Sequence, residues 1–515
     1  MTQNLAEPIN PTGITLTDLA HRLGAQYEGP DLRVTSVTSA SDTAAAGSLF
    51  VALPGKKTHG AEFASHAAAS GAIAALTDEA GAERTREAGL ATIIHPAPRE
   101  VMGQAASAVY DTTPGSPKLI AVTGTNGKTT TTYLLQALFN AMGIKSGLSG
   151  TVERRVGAQG VETRQSGRLT TPEADYLHGL VARMREDAVE AAAVEVSAQA
   201  ITHHRIDGLR FDVAIFTNLS QDHLDDYGTL DNYFNAKLPL FSPAHSARGV
   251  TVIDDEWGQK LAREATVPMT TVSTKANTAA DWQLTTQELD LEHTALELTH
   301  RDGRSFKATV NQPGWFVALD MALSVVALTD LGYDLEKIAE ALGTQRELDA
   351  PLPGRLELVN PEGNGPRVYV DYGHTPASFR AVLTTLRGFT KGRLFMVFGA
   401  DGDRDATKRP DMARSAALAD VVVVTDYNPR FEDPAAIRAT LMQTLREEFP
   451  DVESYEIADS AEGIDKAVSL ANAEDIIFVG GHGHRKDVEV QGKLIPYSVK
   501  DASREALQRH GFRVE

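Results

Sequence analysis

The stretch AVTGTNGKTTTTYLL, residues 121–135, places a lysine and a threonine directly after a glycine, as a Walker A loop does. The full pattern GxxxxGK[ST] would need glycine at position 122, where Val122 stands. What remains is a shorter loop, Gly124-Thr125-Asn126-Gly127-Lys128-Thr129, with Thr130 behind it. An apolar run precedes the loop and a helical pattern beginning near Thr129 comes after it. Backbone N–H groups and a helix N-terminus then face an anion together. In that setting Lys128 reaches terminal phosphates and Thr129 ligates magnesium, which makes ATP the expected ligand.

The elements that would position these residues are short apolar strands alternating with helical stretches, the pattern of parallel α/β sheets. Candidate strands are Leu119–Val122, Ala191–Val196, Phe211–Phe216, Val368–Val370, Leu394–Phe398, Val421–Val424 and Ile476–Val479. After them come TGTNGKTT, SAQA, TNLSQDHLD, DYGH, GADGDRD, TDYNPR and GGHGHR. Ligands of open parallel sheets bind at the carboxyl ends of the strands, so chemistry-capable residues gather where a site belongs. Taken singly, Glu195 is a solvent-facing strand end and His223 a turn residue; behind a phosphate loop both become candidate metal ligands. With no cysteine in the chain, disulfides, thiolate catalysis and thiolate metal sites are excluded, and any metal is held by oxygen or nitrogen.

A chain of 515 residues, 42% of them apolar, forms about three domains of ordinary size. Turn-rich linkers at DTTPGSPK, residues 111–118, and ELDAPLPGR, residues 347–355, divide it into segments 1–112, 113–350 and 351–515. Lys and Arg total 49 against 69 Asp and Glu, a formal charge of −20, which argues against a nucleic-acid or anionic-membrane surface. No signal-peptide pattern opens the sequence, and no apolar run reaches the ~18 residues of a membrane span. A soluble cytoplasmic protein is expected, and the sequence leaves its oligomeric state open.

TGTNGKTT, TTPEA (170–174), EVSAQA (195–200), FTNLSQDHLD (216–225), NAKLPLF (235–241), PGRLE, DYGHTP, GADGDRDATKRP and DYNPR occur in the order in which the Mur ligase family carries such motifs. The chain resembles that family over nearly its whole length, and within it the branch that adds the third residue of the peptide. The resemblance implies an N-terminal uridine-nucleotide-binding domain, a central P-loop parallel-sheet ATPase domain and a C-terminal Rossmann-like domain that binds the amino acid. It also implies a reaction. ATP phosphorylates the terminal carboxylate of UDP-N-acetylmuramoyl-L-alanyl-D-glutamate, and an amino acid's amine attacks the acyl phosphate. A tetrahedral intermediate then collapses to amide, ADP and phosphate, a step of cytoplasmic peptidoglycan synthesis and thus of cell-wall shape and division.

By the same resemblance Lys128, Glu195, His223 and Lys237 serve catalysis. Thr129 holds a first magnesium and Glu195 and His223 a second, which Lys237 helps to hold as a CO2-derived carbamate; an unmodified lysine paired with an acid is the plainer reading. Asn218, Asp222 and Asp225 are expected to shape the loop presenting His223. Arg355, Asp371 and His374 join the nucleotide from the third segment. Ser41, Lys56, Lys57 and Thr58 lie toward the uridine nucleotide, although the family's Asp-Ser-Arg reads Ala40-Ser41-Asp42. Thr170, Thr171, Ser197, His203 and Arg205 grip the muramoyl dipeptide, Arg205 being a natural partner for a carboxylate or phosphate. Val317 and Asp320 replace customary asparagines, so no adenine contact is assigned there.

Arg404 matches the anchor of the incoming α-carboxylate, and Tyr427-Asn428-Pro429-Arg430, Gly481 and Arg485 match the specificity positions. Members adding diaminopimelate carry Asp and Glu where this chain has Tyr427 and Arg485. Two acceptors for a distal ammonium are therefore missing, and such a group must use Asp426, Glu432, Asp487 or a carbonyl. A diamino acid is expected, with diaminopimelate, lysine and ornithine all open. Two other readings exist. Folylpolyglutamate synthase shares the ATP loop but lacks the first domain, and a catalytically silent nucleotide-binding scaffold is opposed by the retained Lys128, Glu195, His223 and Lys237.

Overall fold

The computed structural model describes residues 7–112, 117–161, 169–276, 278–361 and 363–514. Residues 113–116 of the first expected linker lie outside them. At the centre is a twelve-stranded mixed sheet. Its parallel core runs Ser146–Ser149, Ala191–Glu195, Lys118–Thr123, Val213–Phe216, Gly249–Val252 and Met269–Ser273. Lys118–Thr123, Ala191–Glu195 and Val213–Phe216 are buried on both faces and read as apolar runs, whereas Ser146–Ser149, Gly249–Val252 and Met269–Ser273 carry Ser, Gly and Thr and are not among the candidate strands. Helices Lys128–Ala141 and Trp315–Asp330 cover one face, and Ala174–Glu186 and Leu230–Lys237 the other. The strand carrying the phosphate loop lies between its two chemistry-bearing neighbours: Glu195 pairs with Val122, and Phe216 with Thr123. Three adjacent strand ends therefore deliver the loop, Glu195 and the Thr217–His223 segment to one edge.

Beyond this core the sheet continues as Trp282–Glu288, Thr294–His300 and Ser305–Val310, an antiparallel meander that is not among the candidate strands. Trp282 and Leu284 are buried while their neighbours are not, so these strands alternate instead of forming the apolar runs that mark a strand covered on both faces. Glu347–Leu348, expected as linker, is the last strand and pairs with Thr309–Val310.

Two smaller sheets flank the centre. The first domain has four parallel strands, Ser36–Thr38, Ser48–Val51, Ala72–Thr77 and Ala91–Ile94. It is tied to the central helix by Ser39, whose N–H and hydroxyl both donate to buried Asp175 at 2.6 and 2.9 Å. In the third domain Arg367–Asp371, Ile476–Gly480, Leu394–Phe398, Val421–Val424 and Glu453–Glu456 are parallel, with Glu357–Leu358 antiparallel at the edge. Helices pack on both of its faces, as in Rossmann-like domains.

The tight exit from strand Lys118–Thr123 depends on one glycine. Gly124 has φ +151°, and a Cβ there would lie 1.9 Å from Thr217 Oγ1. Gly124→Ala is accordingly expected to cost about 1–3 kcal/mol of stability. Urea denaturation measures this; an unchanged midpoint would show that the loop does not need glycine at this position.

Candidate active site

The loop between Gly124 and Lys128 is clamped from the neighbouring strand end. Thr125 N–H donates to Asn218 O at 3.0 Å, Asn126 N–H donates to Asn218 Oδ1 at 3.0 Å, and Thr217 Oγ1 donates to Asn126 O at 2.6 Å. Ser220 N–H closes the set on Thr125 Oγ1 at 3.0 Å. Helix Lys128–Ala141 starts from Gly127, which takes φ +86° because Asp320 crowds it from below: a Cβ would meet Asp320 Oδ1 at 2.7 Å. Asp320 is buried with Thr131 as its hydrogen-bonding neighbour, and burial pushes its carboxyl well above the usual carboxylate range.

Two lysines from different elements converge on one carbonyl. Lys128 Nζ donates to Gly124 O at 2.9 Å and to Thr125 O at 3.0 Å, while Lys237 Nζ reaches Gly124 O at 3.2 Å. Lys237 is buried, its Nζ 4.3 Å from the centre of the Tyr233 ring. Burial, reinforced by the Lys128 charge, pushes its amine well below the ordinary lysine value. Burial lowers Lys128 as well; Glu195 and Asp222 work against this and Arg355 adds to it. Lys128, Glu195, Asp222 and Arg355 thus share one electrostatic site.

Glu195 is fully buried and accepts from Thr151, whose N–H donates to Oε1 at 3.0 Å and whose hydroxyl donates to Oε2 at 2.8 Å. Its backbone carbonyl accepts from Thr171 Oγ1 at 2.8 Å, and that hydroxyl accepts from Ser197 N–H at 3.1 Å. Thr170 joins through Thr151 Oγ1 at 3.0 Å. His223 sits at φ +55° in the turn before residues Leu224–Tyr227. Burial lowers its imidazole below the ordinary value; Asp222 opposes this, and Lys128 and Lys237 add to it. A neutral imidazole and a carboxylate suit a divalent cation. Among the described residues no group of three or more His, Asp or Glu is placed to hold a metal. That fits magnesium, which takes one or two protein ligands and fills its shell with phosphate and water oxygens.

The third domain covers this edge. Arg355 Nη2 donates to Thr129 Oγ1 at 2.9 Å, and its guanidinium stacks 4.6 Å from the Tyr372 ring centre. His374 Nε2 lies 3.6 Å from Asp222 Oδ2. Asp371 accepts from Leu356 N–H at 2.7 Å and from Gly373 N–H, so its carboxylate braces the turn that carries Arg355.

Known proteins share this arrangement of domains. The Mur ligase middle-domain model matches residues 122–328, the Mur ligase glutamate ligase domain residues 354–483, and the Mur ligase family catalytic domain residues 33–110. A protein of Leifsonia xyli named UDP-N-acetylmuramyl-tripeptide synthetase is 44% identical over 98% of both chains. The chain belongs to the Mur ligase family. A Streptomyces coelicolor protein named UDP-N-acetylmuramoyl-L-alanyl-D-glutamate--2,6-diaminopimelate ligase is 38% identical, again over 98% of both chains. A solved structure of a ligase of that name aligns at TM-score 0.65 and 27% identity, covering 97% of this chain and 99% of that one.

Other positions of this Mur ligase stand apart from the phosphate loop. Lys56, Lys57 and Thr58 are exposed, and Ser41 Oγ meets His66 Nδ1 at 3.0 Å; none of the four is hydrogen-bonded or ion-paired to the loop among the described residues. Arg205 and Arg99 share Glu173 at 3.2 and 3.1 Å, with exposed His203 beside them. In the third domain Arg404 lies 3.4 Å from Asp225, and buried Asn428 accepts from Glu489 N–H at 3.0 Å. Arg430, at φ +51°, lies 3.5 Å from Asp401 and comes after buried Pro429. Gly481, at φ +108°, lies beside the buried Tyr427 ring; a Cβ would sit in ordinary contact with it at 3.7 Å, so the backbone conformation and not space favours glycine here.

Arg485 is half-buried and interacts electrostatically with the buried Tyr427 phenol, so the two departures from the diaminopimelate pattern lie together. Two of the acids expected to receive a distal ammonium are already engaged: Asp426 pairs with Arg438, and Glu432 takes Arg409 in two bonds of 2.7 Å.

Several residues of the site carry no signal in the sequence. Thr151 lies in no recognised motif. Lys408 belongs to GADGDRDATKRP but has no mark of its own. His482 is 3% exposed between the rings of Tyr427 and Tyr497, and both its nitrogens lack a partner; burial, with Arg485 nearby, pushes it down to about 3. An NMR titration of the imidazoles checks the electrostatics at the metal-side histidine. His223 is expected to stay neutral below the free-histidine midpoint, because its charged form is desolvated and faces two lysines; a midpoint at or above the free value would mean that the ring is solvated.

Proposed function

We propose that this Mur ligase adds an amino acid, as third residue, to the terminal carboxylate of UDP-N-acetylmuramoyl-L-alanyl-D-glutamate with cleavage of ATP to ADP, in the cytoplasm. The observation that carries the reading is the phosphate site built from two domains. Lys128 and Lys237 converge on the Gly124 carbonyl while Arg355 of the third domain bonds Thr129 at 2.9 Å. Similarity over 98% of the chain to a protein named for forming this tripeptide supports the substrate. The match of residues 33–110 to a Mur ligase model disfavours the folylpolyglutamate reading.

A carboxylate attacking ATP brings two anions together, so cations must be fixed where charge builds up. Lys128 supplies one from the loop and Arg355 another from the domain that brings the amine. We assign Thr129 to a first magnesium and Glu195 and His223 to a second; when bound, the ions screen phosphate charge during transfer. Lys237 is assigned as a carbamate. Its buried, uncharged amine is the form whose lone pair attacks CO2, making the N–C bond and releasing one proton. The carbamate then adds an oxygen ligand to the set. We further propose segments 1–112, 113–350 and 351–515 as the uridine-nucleotide, ATP and amino-acid domains. In them Ser41, Lys56, Lys57 and Thr58 contact the nucleotide sugar, Thr170, Thr171, Ser197, His203 and Arg205 the dipeptide, and Arg404, Asn428, Arg430 and the Tyr427–Arg485 pair the incoming amino acid. With Asp426 and Glu432 engaged by arginines, a distal ammonium must compete for Asp487 or use backbone carbonyls.

Incubation with ATP, magnesium and the UDP-muramoyl dipeptide against a panel of amino acids, followed by product mass, tests the function; no adduct with any of them would end the reading. Lys128→Ala is expected to reduce phosphate release by roughly 10²–10³-fold with the fold intact, the loss seen when a preorganised charge-stabilising donor is removed. Lys237→Ala should be inactive and partly restored by short-chain carboxylates. Restoration by alkylamines instead would assign an unmodified lysine cation.

A further inference from the structure

The third domain meets the ATP-site segment through several side-chain contacts: Arg355 to Thr129 at 2.9 Å, Thr375 to Asn126 at 3.5 Å, Thr407 to Gln221 at 3.0 Å, Arg404 to Asp225 at 3.4 Å, and Lys408 to Asp222 at 2.9 Å. The last differs in kind. Both its groups are charged, and their side chains are 4% and 9% exposed. A buried ion pair is strongly unfavourable to split while either charge stays out of water, so it is made on full docking and lost on separation. The pair belongs to the docked arrangement and to no intermediate one.

Each partner is also wired to something else. Lys408 ends the turn Ala406–Lys408, which Asp405 caps and from which helix Arg409–Ala416 leaves, and Arg409 is held by Glu432 at 2.7 Å. The lysine is thus a rigid part of the loop that carries Arg404. Asp222 directly precedes His223, its second oxygen is 3.6 Å from His223 Nε2, and His374 approaches that same oxygen at 3.6 Å. His223 sits at positive φ, where most side chains avoid settling, so its turn needs an external constraint.

We propose that Lys408 is a positioning residue which latches the third domain onto Asp222 and so couples docking of that domain to the orientation of His223. The proposal rests on the ligase reading for its kinetic consequence, whereas the latch itself is a property of the two domains. It gives the enzyme a way to hold the metal-side histidine in place only while the amino-acid domain is seated.

The absence of cysteine allows site-specific labelling: Glu264→Cys and Gln443→Cys place spin labels at exposed positions, one on each domain. In the full chain, pulsed EPR is expected to show a single short distance that broadens toward longer ones in Lys408→Met and in Asp222→Asn. The double variant should be no worse than either, the signature of one shared interaction. Steady-state kinetics should show kcat/KM for the amino acid falling on the order of 10²-fold in each single variant, again without additivity. ATP–magnesium binding by calorimetry separates the alternatives. If Lys408→Met abolishes nucleotide binding while Asp222→Asn keeps both binding and the short distance, Lys408 is a nucleotide ligand and the latch is overturned. Unchanged distances in both single variants overturn it as well. Absence of product in the unsubstituted enzyme would count against the ligase reading alone, because the distance measurement does not depend on turnover.

Discussion

The active edge is organised around an electrostatic conflict: two lysine side chains, one buried and one half-buried, end on the same backbone oxygen. Two ammonium groups that reach one oxygen at 2.9 and 3.2 Å can be no more than about 6 Å apart, and at an effective dielectric of 20 they repel by roughly 3 kcal/mol while each loses hydration. The conflict is resolved unequally. Lys128 keeps partial compensation from Glu195 and Asp222, whereas Lys237, enclosed by Tyr233 and with the Lys128 charge beside it, is driven toward the neutral amine. The Asn218 and Thr217 clamps, the glycines at 124 and 127 and the cover formed by Arg355 all serve to keep the Gly124 carbonyl where both lysines can reach it.

The apolar parallel strands and the residues at their ends are legible from sequence; Ser146–Ser149, Gly249–Val252, Met269–Ser273 and Glu453–Glu456, which carry Ser, Gly, Thr or Glu, are not. A strand buried on both faces is a continuous apolar run, and the residues after its last apolar position lie at the sheet's edge. Lys128, Glu195 and His223 stand out in that way, and the structure brings them into one electrostatic site. The meander from Trp282 to Val310 does not, because a strand with one wet face alternates and scatters its apolar residues among polar ones. Thr151 is invisible for a different reason. Its value comes from lying beside Glu195 across the sheet, 44 residues away along the chain, and nothing local marks such a threonine. Lys408 stands in plain view within a recognised motif, yet only its burial against Asp222 distinguishes it from the lysines that decorate the surface.

The residues proposed to meet the incoming amino acid are tied to one another by charge. Tyr427 and Arg485, which stand where the resemblance leads one to expect two carboxylates, lie together and interact electrostatically. Around them Asp426, Glu432 and Asp401 face Arg438, Arg409 and Arg430. Glu456 joins Asp426 on Arg438 and Glu489 joins Asp401 on Arg430, so acids match these guanidiniums throughout, and a charged ligand entering here must join or displace an existing ion pair.

The cover over the phosphate loop also bears on waste. An acyl phosphate is a mixed anhydride of a carboxylic and a phosphoric acid, and water competes with any amine for its carbonyl carbon. With Thr125, Thr129, Asp222, Lys237 and Lys408 all buried beneath the seated third domain, solvent has little access to the loop on which such an intermediate would form. On the proposed function, the domain that selects the amine is also the cover that keeps water from the acyl phosphate. In this architecture, choosing the third residue and sparing ATP fall to the same domain.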